Sequence, residues 1–442
     1  MLLHVTALGC PKNRVDVETI VGLACAHGVH LTADPGDADV VLVSTCGFIE
    51  PASRESIDTV LELARLRRPG ARLVVTGCLA QRFGDELGTL LPEADFLVGT
   101  ADLTRVVDAI LGRGDRVSVG RAGGDLRRLV TRVPSGSPGS AYVKVADGCS
   151  RHCAFCTIPA IRGPYRSRHI DDICDEARDL ARAGVLELNL VAQDLTAFGR
   201  DRSNGEDLAG LLRALSRIDG LRWIRPLYLY PDRSLVPVLH AMASNPTVAP
   251  YLDLPIQHAS DRVLRRMKRG HRQPLLRSLI REARRIVPGL SLRTTVIVGH
   301  PGEGPDELAD LIDFVAETRF ENLGAFRFSP EEGTASAGQG GVPSRRESYD
   351  RHRRVMAVQR RISRQICRGR RGQVLEVLVE GPSEDSPLVT TARHAGQAPE
   401  VDGVVYLDRP VEAGRMVRVK IIDSGDYDLV GEVLDGEAGY QT

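Results

Sequence analysis

Hydrophobic residues in the first third of the chain occur in short runs that alternate with amphipathic stretches. Three runs of strand length lie at residues 2–8, 40–45 and 72–77. Residues 15–26 and 54–67 repeat apolar side chains at helical spacing. This alternation over residues 1–134 predicts an α/β domain with a parallel sheet.

A second alternation follows the small-residue segment 135–140 (SGSPGS), which is typical of a linker. Six apolar runs of strand length follow, at residues 141–147, 186–193, 223–230, 251–257, 291–299 and 322–328. Amphipathic helical patterns lie between them. Six β/α units over residues 135–373 predict a curved parallel sheet or an open, partial barrel.

The pattern changes twice more towards the end of the chain. Residues 343–373 contain eleven arginines, with apolar side chains at helical spacing, and predict a long helix packed on one side. Such a helix is commonly solvated or bridges two domains, and a nucleic-acid contact is the alternative. From residue 374 to 442, short strands separated by Gly, Pro and Asp turns predict a small antiparallel β-barrel.

Composition adds few constraints to this three-part α/β architecture. The chain has 442 residues and a formal net charge of zero, so the overall charge indicates neither a nucleic-acid nor a membrane partner. No apolar run approaches the roughly 20 residues of a membrane span. We therefore expect a cytoplasmic protein. Its nine cysteines then favour metal binding over disulfides, because that compartment is reducing.

The charge of the predicted barrel differs from that of the whole chain. Residues 374–442 contain fourteen acidic and five basic residues. A surface that negative repels phosphate and suits a basic protein partner.

Three closely spaced cysteines, Cys149, Cys153 and Cys156, follow the first strand of the predicted partial barrel. Three thiolates cannot complete the four-thiolate shell of a structural zinc site or a ferredoxin cluster. They can hold three irons of a 4Fe–4S cube and leave the fourth iron open to a small molecule. The alternatives are three buried or disulfide-forming cysteines, or a zinc site completed by His152.

Cys10, Cys46 and Cys78 each come just after one of the first three strands. The carboxyl ends of parallel strands lie on one edge of a sheet, so these thiols could form a second three-thiolate site. The alternative is three unrelated buried cysteines. We expect Cys25 in the core and Cys174 near the surface. Neither Cys174 nor Cys367, which lies in the Arg-rich segment, has a predicted role.

The spacing C-x-x-x-C-x-x-C at the mouth of a β/α barrel resembles the radical S-adenosylmethionine (SAM) superfamily. An N-terminal three-cysteine domain, a radical SAM core and a small C-terminal barrel, called TRAM, resemble the methylthiotransferases of that superfamily over essentially the whole chain. The resemblance implies two 4Fe–4S clusters and SAM as cofactors. Their predicted cysteine ligands are Cys10, Cys46 and Cys78 for the auxiliary cluster and Cys149, Cys153 and Cys156 for the radical SAM cluster.

Several motifs narrow the resemblance, among them LGCPKNRVDVE, STCGFIEPA, CTIPAIRGPYRSR and LVAQDLTAFG. They are similar to the branch that methylthiolates the β-carbon of an aspartate in small-subunit ribosomal protein S twelve. This implies a basic protein substrate that meets the acidic barrel, a reductant such as flavodoxin or ferredoxin, and no nucleic-acid substrate. Gln193, Asp194 and Glu303 follow later strands and are predicted to contact SAM, and Arg162 and Arg166 could neutralise its carboxylate.

Two other functions are compatible with parts of the pattern. A tRNA adenosine methylthiotransferase would use the Arg-rich helix, but the acidic barrel opposes it. A non-catalytic iron–sulfur or zinc scaffold for ribosome assembly is the other, and it would not cleave SAM.

Overall fold

The computed structural model describes residues 1–123, 126, 132–383 and 386–434. Its N-terminal part is a six-stranded parallel sheet in the order β2-β1-β3-β4-β5-β6. The strands are β1 (Leu2–Ala7), β2 (His30–Leu31), β3 (Val40–Thr45), β4 (Arg72–Gly77), β5 (Phe96–Val98) and β6 (Val117–Ser118). The helices are α1 (Pro11–Ala26), α2 (Glu50–Leu66), α3 (Cys78–Leu90) and α4 (Leu103–Ile110). Helices α1 and α4 cover one face of the sheet, and α2 and α3 cover the other.

The middle of the chain forms the predicted partial barrel from two three-stranded parallel sheets, β7-β10-β11 and β12-β13-β14. The six strands are β7 (Ser140–Lys144), β10 (Glu187–Val191), β11 (Trp223–Pro226), β12 (Tyr251–Asp253), β13 (Ser291–Val298) and β14 (Asn322–Arg327), with a short antiparallel pair of β8 (Ala146–Asp147) and β9 (Arg166–Ser167). The helices are α5 (Ile158–Arg162), α6 (Ile170–Arg182), α7 (Leu208–Leu215), α8 (Leu235–Ser244), α9 (Asp261–Arg266), α10 (Gln273–Ile286) and α11 (Pro305–Thr318). One hydrophobic core unites both sheets and their helices.

The Arg-rich segment forms the long helix α12 (Arg345–Gly369), which begins at a capping box between Ser344 and Glu347. Val355 and Ile362 are buried on its packed side. A closed barrel follows, made of β15 (Val374–Pro382), β16 (Thr390–His394), β17 (Val405–Leu407), β18 (Met416–Ser424) and β19 (Leu429–Val433). Its strand pairs are antiparallel except β17 with β19. In the described ranges, no helix has the length and apolar character to cross a membrane.

A buried ionic clamp joins the C-terminal barrel to the partial barrel. Glu187 of β10 is fully buried and accepts hydrogen bonds from Arg225 of β11 at 2.8 Å and from Arg393 of β16 at 2.6 Å. Burial alone would raise the pKa of Glu187, but the two guanidinium groups lower it to about 2. The carboxylate therefore stays charged, and separating the two barrels would take away one of its two guanidinium partners.

Many acids of the C-terminal barrel form ion pairs with arginines elsewhere in the chain. These pairs are Glu376 with Arg222, Glu400 with Arg14, Asp402 with Arg293, Asp423 with Arg371, and Asp426 with Arg360 and Arg364. Part of the acidic excess predicted to meet a partner is thus paired within the protein.

Two predictions about isolated cysteines are wrong. Cys25 is exposed, because it lies one residue beyond Ala24 and faces away from the buried side of α1. Cys174 is buried in α6 beside Ile173 and Ala177, in the core of the partial barrel.

Candidate functional site

One cavity brings both predicted groups of cysteines together. It has a volume of about 330 Å³ and is lined by Cys10, Cys46, Cys78, Cys149, Cys153 and Cys156. The carboxyl edge of the N-terminal sheet and the mouth of the partial barrel therefore face the same space. Within the described ranges, no three His, Cys, Asp or Glu side chains are close enough together to hold a single metal ion. An iron–sulfur cube spreads its thiolate ligands over several irons and has no such requirement.

The N-terminal cysteines reach the cavity from three neighbouring strand ends. Cys10 immediately precedes α1, Cys46 follows β3, and Cys78 is the first residue of α3. Two glycines permit the close approach of these loops. A Cβ on Gly9 would lie 2.9 Å from Cys46 Cβ, and one on Gly77 would lie 2.4 Å from the Thr45 carbonyl oxygen. Both glycines also have positive φ, which other residues adopt only with strain.

A buried arginine from the partial barrel reaches the N-terminal cysteines. Arg162, at the end of α5, donates from Nη2 to Cys78 Sγ at 3.4 Å. Its Nη1 pairs with Asp16 at 2.8 Å and with Asp147 at 3.3 Å. Lys144 also pairs with both carboxylates. Arg162 therefore connects the two halves of the site and places a positive charge beside Cys78.

The three N-terminal thiols differ in electrostatic environment. Burial alone would raise the pKa of the Cys10 thiol, but the charges of Lys12 and Arg162 lower it below its usual value. Burial raises the pKa of Cys46 to about 11. Burial also raises the pKa of Cys78, although Arg162 opposes this shift. Cys10 is thus the thiol of this group whose surroundings most favour the thiolate, the form that binds metal.

The second group of cysteines lies in the loop between β8 and α5. Cys153 Sγ accepts from Arg269 Nη1 at 3.4 Å, and Cys149 Sγ accepts from the Arg151 backbone N–H at 3.5 Å. Burial raises the pKa of Cys156 to about 12. Each group of cysteines therefore has one arginine side chain that donates to a thiol.

Arg151 of this loop and Arg269, which follows α9, share one aromatic ring. The guanidinium carbons of Arg151 and Arg269 lie 3.8 Å and 4.1 Å from the centre of the Tyr230 ring. Arg151 also bonds to Asp194 at 2.7 Å and to Asp232 at 3.0 Å. These contacts fix the cationic wall of the cavity beside the cysteine loop.

Gln193 and Asp194, two of the predicted SAM contacts, line the cavity. Gln193 donates to Asp147 at 2.9 Å. Its Oε1 atom and the Oδ1 atom of Asp194 are buried acceptors with no hydrogen-bond partner among the described residues. Buried polar atoms are rarely left without partners, so these two fit a ligand that carries amino or hydroxyl donors. SAM has both kinds of donor.

Glu303, the third predicted contact, is not among the residues that line this cavity. Its carboxylate accepts from the Gly299 N–H at 2.8 Å and from Arg351 at 2.9 Å, and it lies 3.5 Å from His258. His300 is also buried and bonds to Ser336 at 2.8 Å. These groups form a polar network inside the partial barrel.

Arg166, grouped with Arg162 in the sequence, lies in β9 and lines a different cavity, beside Arg132 and Lys144.

Two cavity residues to which the sequence assigned no role have unusual backbone geometry. Tyr228 and Gln257 follow β11 and β12 with φ angles of 60° and 68°. Left-handed backbone at bulky residues costs energy and persists where the surroundings require it. Lys12 Nζ lies 4.2 Å from the Tyr228 ring. The sequence marks Gln257 only as a polar residue that follows a strand. It gives no signal for the left-handed backbone of either residue, because both are non-glycine residues in strand-like segments.

Three family models match successive parts of the chain. Residues 3–99 match the uncharacterized protein family UPF0004, residues 143–315 the radical SAM superfamily, and residues 372–434 the TRAM domain. This order is the one expected from the sequence.

Curated relatives match over nearly the full chain. Ribosomal protein uS12 methylthiotransferase RimO of Sorangium cellulosum is 46% identical, covering 98% of this chain and 91% of the relative. The proteins of the same name from Myxococcus xanthus and Geobacter sulfurreducens are 44% and 42% identical over 98% of this chain, and 92% and 98% of the respective relatives are covered.

Solved structures support the fold at low sequence identity. The radical SAM methyltransferase TsrM of Kitasatospora setae, with tryptophan and a SAM analogue bound, has a TM-score of 0.56 at 13% identity, covering 86% of this chain and 79% of that one. A TsrM structure with cobalamin and a 4Fe–4S cluster has a TM-score of 0.55 at 15% identity, with 76% and 73% coverage. These similarities concern the architecture alone.

Proposed function

The chain belongs to the RimO family of radical SAM methylthiotransferases, and we propose that it transfers a methylthio group to the β-carbon of an aspartate in ribosomal protein uS12. The family uses SAM and two 4Fe–4S clusters. The observation that carries the proposal for this chain is the single cavity lined by all six predicted cysteines. It would hold both clusters close to one substrate position.

We assign Cys149, Cys153 and Cys156 to the radical SAM cluster, and the other group, Cys10, Cys46 and Cys78, to the auxiliary cluster. When bound, the first cluster would supply the electron that cleaves SAM into a radical able to abstract hydrogen. Gln193 Oε1 and Asp194 Oδ1 are placed to accept hydrogen bonds from the SAM amino group or ribose. The role of Glu303 as a SAM contact stays a prediction. Its carboxylate already accepts hydrogen bonds from Arg351 and from the Gly299 N–H.

The walls of the cavity suit radical chemistry. Phe48, Phe155 and Leu229 line it together with the cysteines. Apolar walls exclude water and limit side reactions of a reactive intermediate. Arg269 and Arg162 each donate to one thiol and place positive charge beside the two groups of cysteines.

The finer partner assignments are also proposals. A reductant such as flavodoxin or ferredoxin would supply the electron. The acidic barrel would receive the basic substrate, but the ion pairs that its acids form with the rest of the chain leave fewer charges for this purpose. The choice of uS12 therefore depends on family membership more than on barrel charge. We further propose that functional divisions fall at residues 1–134, 135–373 and 374–442.

The decisive experiment is intact-protein mass spectrometry of uS12 from cells with and without this gene. We expect a methylthio-sized mass gain that requires the gene and is lost in both Cys10→Ala and Cys153→Ala. Unmodified uS12 together with a gene-dependent methylthio group on a tRNA adenosine would instead establish the tRNA enzyme. A chain that forms no 5′-deoxyadenosine from SAM under reducing conditions would be a scaffold.

A further inference from the structure

The exposed side of α12 is basic along most of its length. Its exposed arginines, named here the arginine stripe, are Arg345, Arg346, Arg353, Arg354, Arg360, Arg361, Arg364 and Arg368. Spacings of four and seven residues place most of them on one side of the helix. At the helical rise of 1.5 Å per residue, the stripe is about 35 Å long.

Few acidic groups face this stripe. The helix itself carries only Glu347, which caps its N-terminus with Ser344, and Asp350, which lies 4.0 Å from Arg353. From the packed C-terminal barrel, Asp426 pairs with Arg360 and Arg364, and Asp423 pairs with Arg371 just beyond the helix. Among the described residues, no ion pair is formed by Arg345, Arg346, Arg354 or Arg361. The stripe thus keeps a positive excess.

Exposed aromatic side chains lie near the N-terminal end of the stripe. His352 Nε2 is 3.1 Å from the carbonyl oxygen of Ala325, which connects α12 to β14. Phe326 follows Ala325, and Tyr349 lies one turn before His352; each is 55% exposed. Aromatic rings beside arginines provide surfaces on which unpaired bases stack.

We propose that the arginine stripe docks on the RNA of the small ribosomal subunit, so that uS12 is modified while it is bound to RNA. The inference rests on the proposed function and specifies the form of its substrate. A long row of guanidinium groups matches the regular phosphates of a nucleic-acid backbone, which each guanidinium can bind through two hydrogen bonds. A basic protein such as free uS12 would be repelled. RNA is here the docking surface, and the methylthiolated group is still the aspartate.

The test compares two pairs of exposed arginines. R354E/R361E reverses two unpaired charges of the stripe. R281E/R285E reverses two exposed arginines of α10, which form no ion pair among the described residues and serve as the matched control. The probe is small ribosomal subunits from a bacterium that lacks this enzyme, and binding is measured by co-sedimentation over a series of salt concentrations.

We expect R354E/R361E to weaken subunit binding at least about tenfold and to reduce the slope of log affinity against log salt by about two. The control should bind as the wild-type protein does, and both variants should methylthiolate free uS12 at the wild-type rate. If circular dichroism shows that R354E/R361E is misfolded, R354Q/R361Q replaces it, with the same direction of effect.

Equal subunit binding by the two double variants would overturn the inference. So would loss of binding to free uS12 in R354E/R361E, since the stripe would then contact protein, or tighter binding to tRNA than to subunits. If the wild-type protein methylthiolates neither free nor subunit-bound uS12, the proposed function fails instead, while the binding comparison still decides whether the stripe contacts RNA.

Discussion

The two groups of cysteines reach one cavity by different routes. Cys149, Cys153 and Cys156 lie within a single loop after β8, so a short stretch of sequence fixes their spacing. Cys10, Cys46 and Cys78 come from three separate strand ends and meet only when the sheet is correctly ordered. The first arrangement is local, whereas the second is a product of tertiary structure. Damage to the sheet should therefore affect the N-terminal group alone, which several variants can test.

The largest effects are expected from removing one cysteine of each group. Cys153→Ala and Cys10→Ala should both abolish methylthiolation of uS12, but only Cys153→Ala should also abolish 5′-deoxyadenosine formation. Each variant loses a ligand of one cluster, so iron should fall from about eight to about four atoms per chain. Product chromatography and iron analysis measure these quantities.

Cys25→Ala is the control for these variants, since Cys25 is exposed on α1 and lines no part of the cavity. It should keep the iron content and both activities of the wild-type protein. Normal 5′-deoxyadenosine formation by Cys153→Ala would contradict the assignment of the two groups.

Replacing the arginine beside one group of cysteines should affect only the cluster that this group binds. Arg162→Gln leaves Asp16 and Asp147 with Lys144 as their shared cation, and we expect the free energy of unfolding to fall by about 3 kcal/mol. In Arg162→Gln, iron should be lost selectively from the auxiliary cluster. In Arg269→Gln, it should be lost from the radical SAM cluster. Electron paramagnetic resonance of each reduced variant distinguishes the two.

Arg162→Lys tests whether charge alone is sufficient at this position. It keeps the charge but cannot contact Cys78, Asp16 and Asp147 from one planar group, so it should restore only part of the lost stability. Full restoration would show that the hydrogen-bond geometry of Arg162 is dispensable.

A pair of glycine variants tests the dependence of the N-terminal group on close backbone approach. Gly77→Ala would place Cβ 2.4 Å from the Thr45 carbonyl oxygen, whereas a Cβ on Gly70 meets nothing within 4 Å. Both positions have positive φ, so Gly70→Ala should cost only about 1 kcal/mol of backbone strain. Gly77→Ala should cost about 2 kcal/mol more, because its neighbours must move.

Denaturant unfolding of the metal-free proteins measures both free energies. Iron analysis after cluster reconstitution should show auxiliary-cluster loss in Gly77→Ala only. Equal effects of the two variants would mean that the loops tolerate a wider separation than the structure indicates.

The smallest expected effect is the pH dependence of stability that arises from His300, a buried residue of the partial barrel. Burial lowers the pKa of His300 to about 4, from 6.5 in the unfolded chain. The unfolded chain therefore binds a proton that the folded protein excludes between these values. Stability from neutral His300 is complete above pH 6.5 and is lost as pH falls towards 4, by on the order of 2 kcal/mol. Urea unfolding at pH 7.5 and 5 should show a smaller pH difference in His300→Gln, and an unchanged difference would contradict this origin.

The sequence predicted elements well where the pattern was local. The three strands that end at cysteines and all six strands of the partial barrel were predicted, because apolar runs report burial directly. Strand β16 was missed, since its sequence TTARH contains Arg393 and His394. Arg393 can be buried in a strand because two carboxylates neutralise it, Glu380 of the neighbouring strand and Glu187 from another part of the chain.

The same limitation applies to charged residues of the site. Arg162 was considered as a partner for the SAM carboxylate, but it lies beside Cys78 with Asp16 and Asp147. The acidic composition of the last segment was interpreted as a surface for a partner, yet arginines distant in sequence pair with many of those acids. Composition gives the number of charges, and only the folded arrangement determines which of them face solvent.

The clamp at Glu187 has a consequence for recombination between relatives. The TRAM match at residues 372–434 is separate from the radical SAM match, which suggests an exchangeable cassette. A grafted barrel without arginine at position 393 would leave Glu187 with Arg225 as its sole guanidinium partner in the clamp. The residues at positions 187 and 393 therefore have to be able to pair with each other. A chimera should inherit both residues together or replace both.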